Sequence, residues 1–223
     1  MPLLCGMETQ NDDSVDPQIA MNSLPLLLLT TSEVMFTIVV PLIVLYLRGA
    51  WALRTKILCL LILPVVWYFT YAPLHELSHI LGTYLIGGHL LSMRLIPPFW
   101  RGEFGRAWIN SEGVTEGWQQ LVSTGFPYLL DVLSLVAGLM FLRRRSFRSP
   151  FILGLAFMLL CLRPLFDLVC ETGAFILGDR GDIYWINRIL GSALTWTFLI
   201  SSIGLSLVTI SVVLTRFISC PSD

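Results

Sequence analysis

The chain has 223 residues, of which 55% are hydrophobic and only 13% charged, where a soluble globular domain carries about a quarter charged residues. That excess of apolar surface excludes an ordinary water-soluble core and makes lipid the expected surrounding. A net charge of −1, a single lysine (Lys56) and the lack of a basic tract interleaved with aromatics argue against nucleic acid as a partner.

Residues 1–22 carry Glu8, Asp12, Asp13 and Asp16 and no basic residue, the wrong charge for the n-region of a secretory signal, and read as a flexible tail. Residues 23–219 read as one membrane-embedded domain. A hydrocarbon layer of about 30 Å takes roughly 20 helical residues to cross. Apolar runs of that order fall at about 24–47, 57–87, 120–142, 151–177 and 186–215, which predicts an all-α, polytopic helical bundle of about five transmembrane helices.

Pro64 and Pro73 interrupt the second run and predict a bent or tilted helix, with a break just ahead of the residues that matter most. Between the second and third runs, residues 88–119 combine Pro97-Pro98, Trp100, Phe104, Trp108 and Trp118 with several glycines. This composition predicts short strands or a re-entrant segment at the membrane interface. Basic residues follow the first run (Arg48, Arg54, Lys56), the third (Arg143, Arg144, Arg145, Arg148) and the fifth (Arg216), which predicts an outside N-terminus and a cytoplasmic C-terminus. Five scattered cysteines, Cys5, Cys59, Cys161, Cys170 and Cys220, form no CxxC pair and read as small apolar residues.

The chemistry concentrates in the second run, at His75-Glu76-Leu77-Ser78-His79. Helical spacing puts both imidazoles on one face, one turn apart, where they can bind one Zn²⁺ at about 2.0–2.1 Å. Glu76 then lies beside the metal, able to take a proton from activated water and pass it to a leaving amine. Two of the chain's three histidines lie here, in a segment where an ionisable group costs several kcal/mol, so idle ones are rare.

Catalytic zinc usually has three protein ligands. Gly82 fits the extended H-E-x-x-H-x-x-G pattern, but Leu85 stands where that pattern needs its third histidine, and His89 falls beyond the expected end of the helix. The acidic candidates are Asp131, Asp167, Glu171, Asp179 and Asp182. Straight-helix arithmetic puts His75 about 27 Å and Asp167 about 24 Å along their spans, level with each other. Arg163, one turn before Asp167, offers that carboxylate a competing role in an intrahelical ion pair. Asp179 and Asp182 stand at the mouth of the following helix, and a bend at Pro73 would bring the histidines toward them.

With these residues in place the chain resembles the site-2 protease family, the intramembrane zinc metalloproteases of peptidase family M50, and more closely its compact bacterial M50B-like branch. The resemblance spans residues 57–190. It rests on the His75–His79 motif followed by Gly87-Gly88, a polar loop, Gly125-Phe126-Pro127 opening a helix, Phe166-Asp167-Leu168 and an Asp-bearing turn. It implies zinc as cofactor, Glu76 as general base and then acid, and His75, His79 and Asp182 as ligands, with Asp167 and Asp179 as alternates. This chain has neither the Leu-Asp-Gly motif nor the Asn of that family in the matching places. The resemblance further implies a multi-pass location in a bacterial cytoplasmic membrane and cleavage of peptide bonds in or near transmembrane segments of membrane-protein substrates. Residues 88–119 would help to present such a substrate as an extended strand. Two rivals compete: a membrane metallohydrolase acting on a lipid or small amide, and a transporter or scaffold in which Glu76, Asp167 and Arg163 form a polar relay.

Overall fold

The computed structural model describes residues 31–48, 51–96, 107–115, 117–144, 147, 149–178 and 180–219. The expected tail at residues 1–22 lies outside them, as do Cys5 and Cys220. Among the described residues the chain is mostly helical. Helix α1 covers Thr31–Leu47 and includes a π-helical turn at Met35–Val39. Helix α2 covers Leu53–Leu85, strand β1 His89–Arg94 and strand β2 Trp108–Glu112. Helix α3 follows at Trp118–Arg144, α4 at Pro150–Ile176, α5 at Asp182–Leu190 and α6 at Ser192–Ser219.

Four of these helices, α2, α3, α4 and α6, are long and apolar enough to cross a membrane. Their outer faces expose large apolar side chains such as Leu61 (65%), Leu133 (53%) and Ile200 (68%), which water would penalise at about 25 cal/mol per Å². A multi-pass membrane protein is compatible with that surface. Helix α1 spans 17 residues or fewer as described, and residues 24–30 of the expected first span lie outside the described residues.

Helix α4 forms the centre of the bundle: 67% of its most apolar stretch is covered by protein, against 28% to 33% for the other three. It touches α1, α2, α3, α5 and α6. One apolar core joins α1, α2 and α4 through Leu42, Leu63, Trp67, Phe157 and Phe166, with Trp67 stacked on Tyr71 at 4.5 Å and meeting Phe166 edge-on at 4.8 Å. A second joins α3, α4, α5 and α6 through Tyr128, Leu168, Ile183, Ile186 and Leu199. This second core seats α5 against α3, α4 and α6.

Two expectations change, and the short strands expected within residues 88–119 are present. Helix α2 runs unbroken through Pro64 and Pro73; each proline forgoes one backbone bond, which a long membrane helix tolerates. The expected fifth span is two helices, α5 and α6, divided at Gly191 with φ +80° and ψ 160°, a backbone conformation that glycine adopts readily and other residues do not. Its N–H still bonds the Asn187 carbonyl at 2.9 Å, and its own carbonyl accepts from the Thr195 N–H at 3.1 Å. Residues 88–119 contain an antiparallel β1–β2 hairpin in the register His89↔Glu112 to Arg94↔Trp108, with a bulge between Leu90 and Ser92. Residues 97–106 of that segment lie outside the described residues.

Cys59 and Cys161 are buried, Cys170 is partly buried, and none of the three is in a disulfide, as small apolar residues would be.

Candidate metal centre

The unbroken turn of α2 between His75 and His79 puts both rings on one face, with centroids 4.8 Å apart. The Nε2 atoms stand 3.1 Å from each other. Into the same space α5 brings its first residue, Asp182, whose Oδ2 lies 2.8 Å from His79 Nε2 and 3.3 Å from His75 Nε2. A tetrahedral ion at about 2.0–2.1 Å from its ligands holds them about 3.3 Å apart, so a triangle with sides of 2.8, 3.1 and 3.3 Å fits a small divalent cation. His75, His79 and Asp182 form a group that can hold a metal ion. Two imidazoles and one carboxylate are the borderline donor set that suits zinc.

The far side of each imidazole is also occupied. His79 Nδ1 is 2.8 Å from the Ser123 carbonyl; with its proton on Nδ1 the ring donates there and turns the Nε2 lone pair toward Asp182 and His75. That carbonyl is available because the residue four further along α3 is Pro127, which has no N–H to close the helical bond. Close approach of α2 and α3 depends on Gly82: a Cβ there would stand 2.8 Å from Phe126 Cβ and 3.1 Å from the Val122 carbonyl oxygen. A Thr83–Ser123 hydroxyl hydrogen bond at 2.8 Å closes the same contact.

Behind His75 sits Asp167, with Oδ2 3.6 Å from Nδ1, on the side of the ring facing away from Asp182. This carboxylate accepts from Arg163 Nη1 at 3.0 Å, and Arg163 Nη2 reaches Asp131 Oδ1 at 2.7 Å. Asp131, Arg163 and Asp167 are exposed by 0%, 5% and 5%. One guanidinium thus serves two buried carboxyl groups beneath His75. The π-helical turn Met158–Leu162 immediately precedes this set, with the Arg163 N–H bonded to the Met158 carbonyl. A widened turn gives room to Pro164, which has no N–H for the normal helical bond.

Asp182 opens α5 after Gly181, whose carbonyl accepts the Tyr184 N–H at 3.1 Å. Burial by itself would raise the Asp182 carboxyl; the charge of His79 and hydrogen bonds from both imidazoles outweigh it and hold the group below the usual carboxylate range. Glu76, half-buried, lies within electrostatic range of His75, His79, Asp182 and Asp167. Glu171 approaches the start of α5, its Oε2 3.0 Å from where a Gly181 side chain would begin.

Of the residues singled out in the sequence, the fold therefore brings His75, His79 and Asp182 together, with Glu76 next to His75 along α2 and within electrostatic range of all three. Asp167 stands behind a ligand in the ion pair with Arg163, Asp131 at the far end of that pair, and Asp179 lies outside the described residues. His89 is exposed on β1 opposite Glu112. Sequence reasoning passed over Ser123 and Tyr128. A proline four residues after Ser123 in an apolar run was the available sign of a free carbonyl. Compared with protein-family models, with curated proteins and with solved structures, the chain matches none of them.

Proposed function

We propose that this protein is an intramembrane zinc endopeptidase of the site-2 protease type, cleaving peptide bonds in or near transmembrane segments of other membrane proteins. The observation that carries the reading is the triangle of His75 Nε2, His79 Nε2 and Asp182 Oδ2, with both histidines and the adjacent Glu76 on a helix long and apolar enough to cross a membrane. His75, His79 and Asp182 would hold the metal. Zinc bound there supplies a Lewis acid that polarises a carbonyl and lowers the pKa of water toward about 7.

Every other step belongs to side chains. The Glu76 carboxylate takes a proton from the attacking water and delivers it to the leaving nitrogen. Asp167 and the Ser123 carbonyl keep the two imidazoles turned so that their Nε2 lone pairs converge. Substrate has to unwind locally, because a helix hides its peptide carbonyls in its own hydrogen bonds. The β1–β2 hairpin supports that step: among the described residues it is a two-stranded sheet, and an extended segment can add to an open edge.

The test is zinc analysis of the purified protein beside His79→Ala, Asp182→Ala, Asp167→Ala and Asp179→Ala, with cleavage of a reconstituted transmembrane peptide by wild type and Glu76→Gln. About one zinc per chain is expected in wild type, none in the first two variants, and zinc retained in Glu76→Gln with cleavage lowered by about 10²–10⁴-fold. Wild type purified without zinc, or Glu76→Gln cleaving at the wild-type rate, would refute the reading. Hydrolysis of lipid in place of peptide would assign the same machinery to a metallohydrolase.

A further inference from the structure

Tyr128 lies next to the site and has no part in the scheme above. It follows Pro127 on α3, is 1% exposed, and its hydroxyl has no hydrogen-bond partner. The ring meets His75 edge-on, with centroids 6.1 Å apart, and Phe198 edge-on at 6.2 Å, so its position is held by packing. The carboxyls of Glu171, Asp182, Asp167 and Asp131 are within electrostatic range of the hydroxyl, and it bonds none of them. A buried phenol beside a metal-binding histidine, with its donor unused, is a group prepared for a partner that arrives with the ligand.

We propose that Tyr128 is a further catalytic residue, whose O–H donates a hydrogen bond to the carbonyl oxygen of the bound substrate. The proposal rests on the hydrolase reading above. In that reaction water adds to the carbonyl carbon and the C–N bond breaks, while one water proton passes through Glu76 to the leaving nitrogen, with nothing oxidised or reduced. Negative charge grows on the carbonyl oxygen during the addition, and a fixed donor stabilises it more than it stabilises the ground state. A rigid phenol held by His75 and Phe198 needs no reorganisation to do so.

Tyr128→Phe removes the hydroxyl and keeps the ring. Two readouts are used on the full-length protein in detergent: kinetics on a quenched fluorogenic transmembrane peptide, and the affinity of the zinc-loaded protein for acetohydroxamate, whose carbonyl oxygen becomes electron-rich on chelation. With zinc content unchanged, the variant should keep KM within about threefold, lose about 10²–10³-fold in kcat and bind acetohydroxamate at least tenfold more weakly. Wild-type kcat and wild-type acetohydroxamate affinity in a zinc-replete Tyr128→Phe would overturn the proposal. If wild type binds zinc but cleaves no peptide, the peptidase reading fails alone, and acetohydroxamate affinity still decides whether Tyr128 donates. Wild type without zinc removes both.

Discussion

At the scale of single residues, the fit of the site to a metal follows from which nitrogen of each histidine faces inward. His79 is fixed by the Ser123 carbonyl at 2.8 Å, and His75 has Asp167 on its Nδ1 side at 3.6 Å. Outer partners of this kind are worth about 10–100-fold in metal affinity, so Asp167→Asn should retain zinc at saturation yet weaken its binding by about that factor, measured by competition with a chelator. The pH dependence has a definite sign. A carboxyl held below its unfolded value, as Asp182 is, contributes stability above that unfolded value and loses it only as pH falls through the lowered one. Zinc retention should therefore be flat above neutrality and fall as acid protonates the imidazoles, before the lowered range of the Asp182 carboxylate is reached. A titration of bound zinc against pH checks this. The unpartnered Tyr128 hydroxyl leaves a buried polar group unsatisfied, worth about 1–3 kcal/mol, so Tyr128→Phe should be as thermally stable as wild type or more so.

At the scale of elements, prolines and glycines in the apolar runs decide the geometry. Pro127 leaves the Ser123 carbonyl without its helical partner, and that orphan carbonyl orients His79. Pro127→Ala would restore a competing N–H, and zinc affinity should drop while the helix itself gains stability. Gly82 lets α3 come close enough for the bond to form. Gly82→Ala should cost about 1–3 kcal/mol by overpacking and lower zinc affinity in the same variant, seen as a lower thermal midpoint in detergent together with loss of metal. Gly191 ends α5 at a positive φ; without that stop, α5 and α6 would read as one rod, and Asp182 could not be presented at right depth by a short helix of its own.

Across the whole molecule, the buried Asp131–Arg163–Asp167 set ties α3 to α4 beneath the histidines. Taking one partner from a buried ion pair leaves the others uncompensated and costs about 3–5 kcal/mol. Arg163→Leu should therefore be among the most destabilising changes in the chain, scored by thermal unfolding in detergent. The four long apolar helices and their exposed outer faces lead to a further expectation: the protein should remain in the membrane pellet after alkaline carbonate extraction, and its release into the supernatant would contradict the membrane reading.

The helical character of the bundle, the positions of its long apolar helices and the pairing of His75 with His79 were legible from sequence, because each depends on local spacing: about 20 apolar residues for a crossing, four residues for one helical turn. The choice among Asp131, Asp167, Asp179 and Asp182 was not legible. Arithmetic along a straight helix made Asp167 level with His75, and in depth it is a neighbour, but it meets the ring at Nδ1 and is held by Arg163. Asp182 reaches Nε2 because Gly191 cuts the last apolar run in two and Ile183 and Ile186 seat the short helix α5 in the core formed with α3, α4 and α6. Local spacing determines which side chains share one face of a helix; which face of another helix they meet depends on contacts made across more than a hundred residues, and only the tertiary structure decides that.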